Sequence, residues 1–210
     1  LQELLSNLFL VLTDKEATVI KRRFALQGSQ KQTLEKIGKH FNVTRERIRQ
    51  IESIALGKLR RTVRTTRLDE VNELAKEVLR LNGGVMREDE LISAVLKQIK
   101  GSSEVDGAVL RLSFSIDNEM QAGRRSNTFV PFWRLDSLSM QDISLIVGNM
   151  VKILKKRKAC MQTEELVSAI QALNLFEGRV PSAELIVSCL KIDERLRLIA
   201  AGWGLTEWRF

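Results

Sequence analysis

Residues 45–50 contain three arginines, a glutamate and a glutamine, which are side chains able to hydrogen-bond with the edges of DNA bases. On a helix, which turns by about 100° per residue, Glu46, Arg49 and Gln50 lie on one face and Arg45 lies beside it. Arginine pairs with guanine, glutamine pairs with adenine, and glutamate accepts a hydrogen bond from cytosine. The pattern therefore predicts base recognition in double-stranded DNA. The side chains that we expect to contact bases are Arg45, Glu46, Arg49 and Gln50.

A helix-turn-helix over residues 33–61 is the element that would position these side chains. Two short helical patterns meet at Asn42, a residue type that tolerates the left-handed backbone of a tight turn. Gly38 is the small residue where the helices approach, and Thr44 is a favourable N-cap for the second helix. The apolar face of that helix consists of Ile48, Ile51, Ala55 and Leu59. An ordinary helix pair with a solvated charged face is the alternative, but these features together favour a helix-turn-helix.

The positive charge of the chain is concentrated in the same segment. Residues 1–67 contain 15 Lys or Arg against 6 Asp or Glu, a balance of +9, whereas residues 68–210 contain 19 against 20, a balance of −1. Such an excess is typical of phosphate binding, although a solvated basic face has the same composition. The basic, threonine-rich residues 60–67 fit either a linker or a tail that contacts the DNA backbone. The side chains that we expect to contact phosphates are Thr44, Lys39, Arg47, Ser53, Arg60 and Arg61.

The ten-residue run at 43–52, Val-Thr-Arg-Glu-Arg-Ile-Arg-Gln-Ile-Glu, resembles region 4 of the primary bacterial RNA polymerase sigma factors. The resemblance covers residues 4–64, under a third of the chain, and includes residues 12–17, 22–24 and 55–60. It implies that this helix reads the upstream (−35) promoter element through Arg45, Glu46, Arg49 and Gln50, with Arg47 nearby. It also implies that the first helices dock on the β flap of the RNA polymerase core. The melting and extended-promoter regions of a sigma factor do not appear in the chain.

The remainder of the chain contains an internal repeat. Residues 78–95 align without gaps on residues 153–170, and residues 132–135 are similar to 202–205. Each copy predicts a helix, a short extended stretch, two further helices and a two-stranded wing, with strands around Phe129-Val130 and around residues 198–200. We therefore predict a mainly α fold, in which a helix-turn-helix domain is followed by two winged-helix-like repeats with small β wings.

This interpretation divides the chain into a helix-turn-helix domain at 1–67, a first repeat at 68–137 and a second repeat at 138–210. The repeats, and the second in particular, resemble the HARE-type winged-helix domains, a family that includes the N-terminal domain of the RNA polymerase delta subunit. Their joint charge argues against strong nonspecific DNA binding, so a protein ligand and auxiliary DNA contact both remain open. Local basic clusters lie at residues 155–158 and at Arg124 and Arg125.

Several classes of function are disfavoured by the sequence. It has no glycine-rich phosphate loop, nucleophile elbow or metal-ligand cluster, so we expect no enzymatic activity, no cofactor and no metal. No apolar run is long enough to cross a bilayer. Cys160 and Cys189 are far apart in the sequence and predict free thiols in a reducing cytoplasm. Within a bacterial cytoplasm, we expect the protein to be associated with the nucleoid. The chain begins at Leu1 rather than at methionine, which fits either a fragment or a trimmed chain, so the sequence leaves open whether further domains precede it.

The leading hypothesis is a sequence-specific DNA-binding transcription factor or regulator of sigma-like type that contacts RNA polymerase. The alternative is an adaptor or inhibitor that docks on RNA polymerase without reading DNA. The intact run at 45–50 favours the first, because docking alone does not require base-reading side chains on that face.

Overall fold

The computed structural model describes residues 2–99 and 106–208, which are mainly helical with small antiparallel sheets. The helices are α1 (Gln2–Phe9), α2 (Asp14–Arg23), α3 (Leu34–Phe41), α4 (Arg45–Thr62), α5 (Leu68–Leu81), α6 (Glu88–Gln98), α7 (Gly107–Ser115), α8 (Met140–Arg157), α9 (Thr163–Gln171) and α10 (Ala183–Ile192). The strands are β1 (Val85–Arg87), β2 (Met120–Gly123), β3 (Phe132–Leu135), β4 (Leu196–Ile199) and β5 (Gly202–Leu205). A short 3-10 turn, Val63–Thr65, follows α4.

The described residues pack into two compact units. Unit 1 comprises Leu1–Leu74 and Val95–Asn118, and unit 2 comprises Ala75–Ala94 and Glu119–Phe210. These packing units are not the three sequence segments proposed above, because α7 shares a core with residues that precede position 67. The division into three sequence segments stays a prediction.

Local signals in the sequence set the ends of α2. Thr13 and Glu16 form a capping box, in which each side chain accepts a hydrogen bond from the other residue's backbone N–H. The helix ends at Arg23. Ala25 takes a left-handed conformation with φ of 55°, and the N–H of Leu26 donates to the carbonyl of Lys21 at 2.9 Å. This arrangement satisfies a carbonyl that the end of the helix leaves free.

The apolar core of unit 1 joins α1, α4 and α7. Leu5 and Leu8 of α1 lie in one buried cluster with Leu59 of α4 and with Val109 and Leu112 of α7. All five side chains are fully buried. Helix α7 is therefore part of the core that supports the helix-turn-helix.

A buried polar pair also holds α7 in unit 1. The amide of Asn72 donates to the carbonyl of Ser113 at 3.0 Å, and the hydroxyl of Ser113 donates to Asn72 Oδ1 at 2.6 Å. Because both residues are completely buried, these bonds satisfy polar groups that would be costly to leave unpaired.

Unit 2 contains both sheets. Strand β3 pairs antiparallel with β1 on one side and with β2 on the other, and β4 pairs antiparallel with β5. The strand predicted around Phe129-Val130 was placed wrongly. Phe129 makes a single antiparallel bridge with Asp193, the N–H of Val130 donates to the carbonyl of Ile192 at 3.0 Å, and the strand itself begins at Phe132.

The two copies of the internal repeat have matching contacts around a tryptophan. Met86 pairs with Trp133 in the first copy, and Met161 bridges Trp203 at the equivalent place in the second. The indole of Trp133 donates to Glu88 at 2.9 Å, and that of Trp203 donates to Thr163 at 3.1 Å.

Both tryptophans are buried, as expected of core residues. Each indole therefore anchors its strand to the first residue of an earlier helix in the same copy, α6 for Trp133 and α9 for Trp203.

Helix α10 is packed within unit 2. The hydroxyl of Ser188 donates to the carbonyl of Asn82 at 2.7 Å. Gly83, with φ of +80°, approaches α10 so closely that an added Cβ would lie 2.4 Å from the backbone of Leu185. The turn before β1 thus requires glycine for both conformation and space.

Cys160 and Cys189 are free thiols, as predicted, and Cys189 is completely buried. Burial raises the pKa of the Cys189 thiol far above its usual range, which makes it unreactive. None of the helices in the described ranges combines the length and the apolar character that crossing a membrane requires.

Candidate nucleic-acid interface

The helix-turn-helix consists of α3, a tight turn and α4. The Thr33 hydroxyl accepts from the N–H of Lys36 at 3.2 Å, and the Thr44 hydroxyl accepts from the N–H of Arg47 at 3.1 Å. Each threonine therefore caps its helix, which confirms the prediction for Thr44. Asn42 lies in the left-handed region with φ of 53° and ψ of 45°, which confirms the predicted turn.

Gly38 allows this turn to fold back on α3. The N–H of Val43 donates to the carbonyl of Gly38 at 2.9 Å. A Cβ at Gly38 would lie 2.7 Å from the carbonyl oxygen of Val43 and 3.5 Å from the backbone nitrogen of Arg45. The small residue therefore sets the distance between α3 and the first residue of α4.

Helix α4 has one buried face and one exposed face. The residues predicted to be buried, Ile48, Ile51, Ala55 and Leu59, are at most 5% exposed. The residues predicted to contact DNA are all exposed: Lys39, Thr44, Arg45, Glu46, Arg47, Arg49, Gln50, Ser53, Arg60 and Arg61. At about 100° per residue, most of those on α4 share the face that carries Glu46 and Arg49. The N-terminal half of the helix thus presents a largely polar surface.

The predicted base-reading side chains are paired with other polar groups. Arg49 donates to both carboxylate oxygens of Glu46, through Nε at 2.9 Å and Nη2 at 2.7 Å. Arg47 Nη1 donates to Gln50 Oε1 at 3.3 Å. Arg49 and Glu46 therefore pair through two parallel hydrogen bonds, the bidentate geometry that an arginine also uses on guanine.

Arg45 reaches across the turn to the other helix. Its Nε lies 3.2 Å from Glu35 Oε1 on α3. The backbone N–H of Glu35 lowers the pKa of the Glu35 carboxyl, and the charge of Arg45 lowers it further. Hydrogen bonds from Arg49 likewise lower the pKa of Glu46, and Glu46 raises the pKa of Arg49. Both carboxylates are therefore held ionised beside the arginines that we expect to contact bases.

The side chains predicted to contact phosphate are less uniformly placed. Lys39 is exposed in the last turn of α3, and Ser53 and Arg61 are exposed along α4. Arg60 Nη2 donates to the carbonyl of Ser115 at 3.3 Å. The Thr44 hydroxyl is already engaged as the N-cap of α4. These contacts place Arg60 and Thr44 in structural roles within unit 1 as well.

Two partly buried ion pairs that sequence reasoning missed fix α4 against α2. Arg23 Nε lies 2.9 Å from Glu52 Oε1, and Arg23 Nη1 also donates to the carbonyl of Gln32 at 3.1 Å. Lys58 lies 2.9 Å from Glu16. No local sequence pattern reveals these pairs, because their partners are 29 and 42 residues apart.

Within residues 2–99 and 106–208, no three side chains of the His, Cys, Asp and Glu types come together in a way that could hold a metal ion. What the geometry offers is a surface of hydrogen-bond donors and acceptors on a supported helix.

Comparison with known proteins assigns the same segment to one family. Residues 8–61 match the family described as Sigma-70, region 4. The RNA polymerase sigma factor SigA of Bacillus sp is 48% identical over 73 residues, which cover 35% of this chain and 19% of that protein. SigA of Clostridium acetobutylicum is 50% identical over 68 residues, which cover 32% of this chain and 18% of that protein. The chain thus spans about a fifth of the length of these curated relatives.

Proposed function

We propose that this chain is a sequence-specific DNA-binding transcription regulator of sigma-like type, without enzymatic activity, that acts in the cytoplasm at the nucleoid. In this proposal the N-terminal part of α4 enters the major groove of a −35-like promoter element. Arg45, Glu46, Arg49 and Gln50 contact base edges, and the neighbouring basic and hydroxyl side chains contact phosphates. Base contacts give specificity, while phosphate contacts set position.

The observation that carries the proposal is the exposed polar face of α4. Its first two turns present the four candidate base-reading side chains to solvent, and its opposite face is buried in unit 1. A helix-turn-helix docks with this end of its second helix in the groove. The match of residues 8–61 to sigma region 4 supports the same use of the helix.

RNA polymerase core is the proposed protein partner, and its β flap is the proposed docking site. The relatives that match this segment are RNA polymerase sigma factors. In unit 1, the turn between α1 and α2 carries two exposed apolar side chains, Leu10 at 80% and Val11 at 43%. We propose that these residues belong to the docking surface.

For residues 68–137 and 138–210 we propose tandem winged-helix domains of the HARE type. Both copies have the element order helix, strand or bridge, helix, helix, strand, strand. Their equivalent tryptophan contacts support a common origin. A protein ligand fits the copies better than DNA, since the third helix of each is largely buried.

Fluorescence anisotropy of labelled duplexes tests the DNA-reading proposal. We expect the whole chain to prefer a −35-like duplex over a scrambled one at constant salt. The triple variant Arg45→Ala, Arg49→Ala, Gln50→Ala should lose that preference, because each good bidentate base contact contributes about 1–3 kcal/mol of discrimination.

A charge-matched control removes two cationic side chains and one glutamine from unit 2. The variant Lys152→Ala, Lys156→Ala, Gln141→Ala changes three exposed residues and the same formal charge. It should keep the preference for the −35-like duplex. Equal and steeply salt-dependent binding of the unmodified chain to both duplexes would reduce the proposal to nonspecific phosphate binding.

The adaptor function is the second candidate, and the paired state of the reading side chains is the observation that favours it. Arg49 is held by Glu46, and Arg45 by Glu35. An adaptor that does not read DNA would leave both ion pairs intact, because neither arginine would have to leave its glutamate for a base. Capture of core RNA polymerase by a chain that binds neither duplex would establish the adaptor instead. Loss of that capture in Leu10→Asp would assign the docking surface.

A further inference from the structure

A polar cavity lies on the surface between α2 and α3, outside the candidate base-reading face. It has a volume of about 470 Å³ and is lined by Arg22, Ser29, Gln30, Gln32, Lys36 and His40. Each of these side chains can donate hydrogen bonds, and the described lining includes no carboxylate. A lining that is rich in donors, carries two cations and includes no carboxylate suits an anion rather than a cation or an apolar ligand.

The cavity has an ordered set of donors at one end. Arg22 Nη2 lies 3.1 Å from His40 Nε2, so the guanidinium donates to a neutral imidazole there. The Phe41 ring contacts both groups, with its centroid 5.9 Å from Arg22 Cζ and 5.0 Å from the His40 ring centroid. A guanidinium has five N–H donors, so most of those on Arg22 remain available to a ligand.

Three acidic side chains of unit 1 are already paired with cations outside the cavity lining. Glu16 pairs with Lys58, Glu35 pairs with Arg45, and Glu52 pairs with Arg23.

By contrast, neither Arg22 nor Lys36 forms an ion pair with any carboxylate in the described part of the chain. Two uncompensated cations that share a concave, donor-lined surface create a local positive potential.

We propose that this cavity, the Arg22–Lys36–His40 pocket, binds a phosphate group. Arg22 would supply its planar donors, Lys36 a point charge, and His40 a third nitrogen. The phosphate is either a DNA backbone diester or a free phosphate ligand. The first source rests on the DNA-binding function proposed above, and it is reasonable because the first helix of a helix-turn-helix crosses the DNA backbone. Lys36 and His40 lie one turn apart on that helix, α3.

The DNA arm of the test compares the salt dependence of duplex binding by the full chain and by the variant Arg22→Ala, Lys36→Ala. A lost phosphate contact should reduce the slope of log affinity against log salt by about 1 and weaken binding to all sequences alike. Lys31→Ala is the control, because Lys31 is an exposed lysine beside the pocket that does not line it. Lys36→Ala alone provides a second variant that changes only an exposed side chain.

The free-ligand arm uses the single histidine of the chain as its probe. Inorganic phosphate and pyrophosphate are titrated at constant pH and ionic strength, and the NMR signals of the His40 ring are followed. We expect saturable shifts in the unmodified chain and in Lys31→Ala. The shifts should be lost in Arg22→Ala, Lys36→Ala, with circular dichroism used to show that each variant is folded.

The outcomes separate the two sources and the two proposals. A reduced salt slope in the pocket variant assigns the site to a DNA phosphate. An unchanged slope with saturable His40 shifts assigns it to a free phosphate ligand. If neither the slope nor the shifts distinguish the pocket variant from Lys31→Ala, the pocket proposal is wrong. If the unmodified chain binds no duplex, the DNA-binding proposal fails, and the titration still decides the pocket.

Discussion

Helices α4 and α10 each come second in a pair of helices, but α4 exposes polar side chains whereas α10 buries most of its apolar ones. The outer face of α4 carries Arg45, Glu46, Arg49 and Gln50, all exposed. Half of the residues of α10 are buried, and most of their side chains pack in the core of unit 2. The buried residues of α10 are Ile186, Ser188, Cys189, Leu190 and Ile192. Of these two helices, α4 has the larger exposed polar face.

The difference arises from what packs against each helix. Helix α10 lies against β1 and the turn before it, where Gly83 allows close approach to Leu185. Lys191 of α10 also lies 3.8 Å from Glu90 of α6. In the described part of unit 1, the exposed polar side chains at the N-terminal end of α4 instead pair along the helix or across the turn.

This contrast shows that the order of elements does not determine what a helix contacts. A winged-helix order would suggest a DNA-reading third helix, but the side chains of α10 are mainly apolar and fill a core. Fold and function have to be argued separately for the two regions. The comparison predicts that substitutions in α10 change stability, whereas substitutions on the face of α4 change binding.

The largest expected effect is on the stability of unit 2. Leu190→Ala should lower the free energy of unfolding by about 2–5 kcal/mol, because it leaves a cavity at a fully buried position. Chemical denaturation followed by tryptophan fluorescence measures this, since Trp133 and Trp203 lie in unit 2. Duplex binding by the folded variant should be unchanged. A stable variant with impaired duplex binding would instead assign α10 to a DNA-contacting surface.

Two glycine substitutions sharpen the comparison. Gly83→Ala should destabilise the chain by at least about 1–3 kcal/mol, since the new Cβ overlaps the backbone of Leu185 and the φ is positive. Gly57→Ala, on α4, has open space around it and should stabilise the helix by about 0.5–1 kcal/mol. Thermal unfolding of both variants shows whether each substitution raises or lowers the stability of the chain. Equal effects would mean that α10 is not packed as closely as the contacts with Gly83 indicate.

On α4, single substitutions should affect recognition instead. Arg49→Ala is expected to reduce discrimination between a −35-like duplex and a scrambled one by about 1–3 kcal/mol with little change in melting temperature. Lys191→Ala on α10 serves as the control and should leave discrimination unchanged. Competition binding at fixed salt measures both. A larger loss in Lys191→Ala than in Arg49→Ala would reverse the assignment of the two helices.

The sequence predicted the region around α4 better than it predicted the packing of α7 and α10. Local rules located the helix-turn-helix, because Gly38, Asn42 and Thr44 act within a few residues of their own positions. The role of α7 in the core of unit 1 could not be predicted, since Val109 joins Leu5 from more than a hundred residues away. The repeat predicted matching elements but not their packing. Nothing in the helical period of α10 distinguishes a face buried in a core from one buried against a partner.

The candidate site divides in a similar way. The exposed side chains of α4 follow from periodicity, so they could be chosen from the sequence. Their partners could not, because Glu35 meets Arg45 across a turn whose geometry depends on Gly38 and Asn42.

The smallest expected effect concerns the pair on the face of α4. The pKa of Glu46 lies below its ordinary value of 4.5, because Arg49 hydrogen-bonds to the ionised form. Glu46 therefore stays charged in a pH range where an ordinary glutamate is partly protonated, and the pair is lost as the pH falls through the lowered pKa. A carbon NMR titration of the Glu46 carboxyl should show a higher pKa in Arg49→Ala, with Arg60→Ala unchanged as the control.

An unaltered Glu46 pKa in Arg49→Ala would show that Arg49 is not held by Glu46 in solution. If the pKa shift is found, the Arg49–Glu46 pair exists in solution, and its exposure to solvent then matters. A solvent-exposed pair within one helix contributes little to stability. Exchanging Glu46 for a base edge therefore costs Arg49 little, whereas Leu190 of α10 cannot leave its core without unfolding unit 2. The proposed reading of DNA therefore fits the exposed pair on α4 better than it fits the buried side chains of α10.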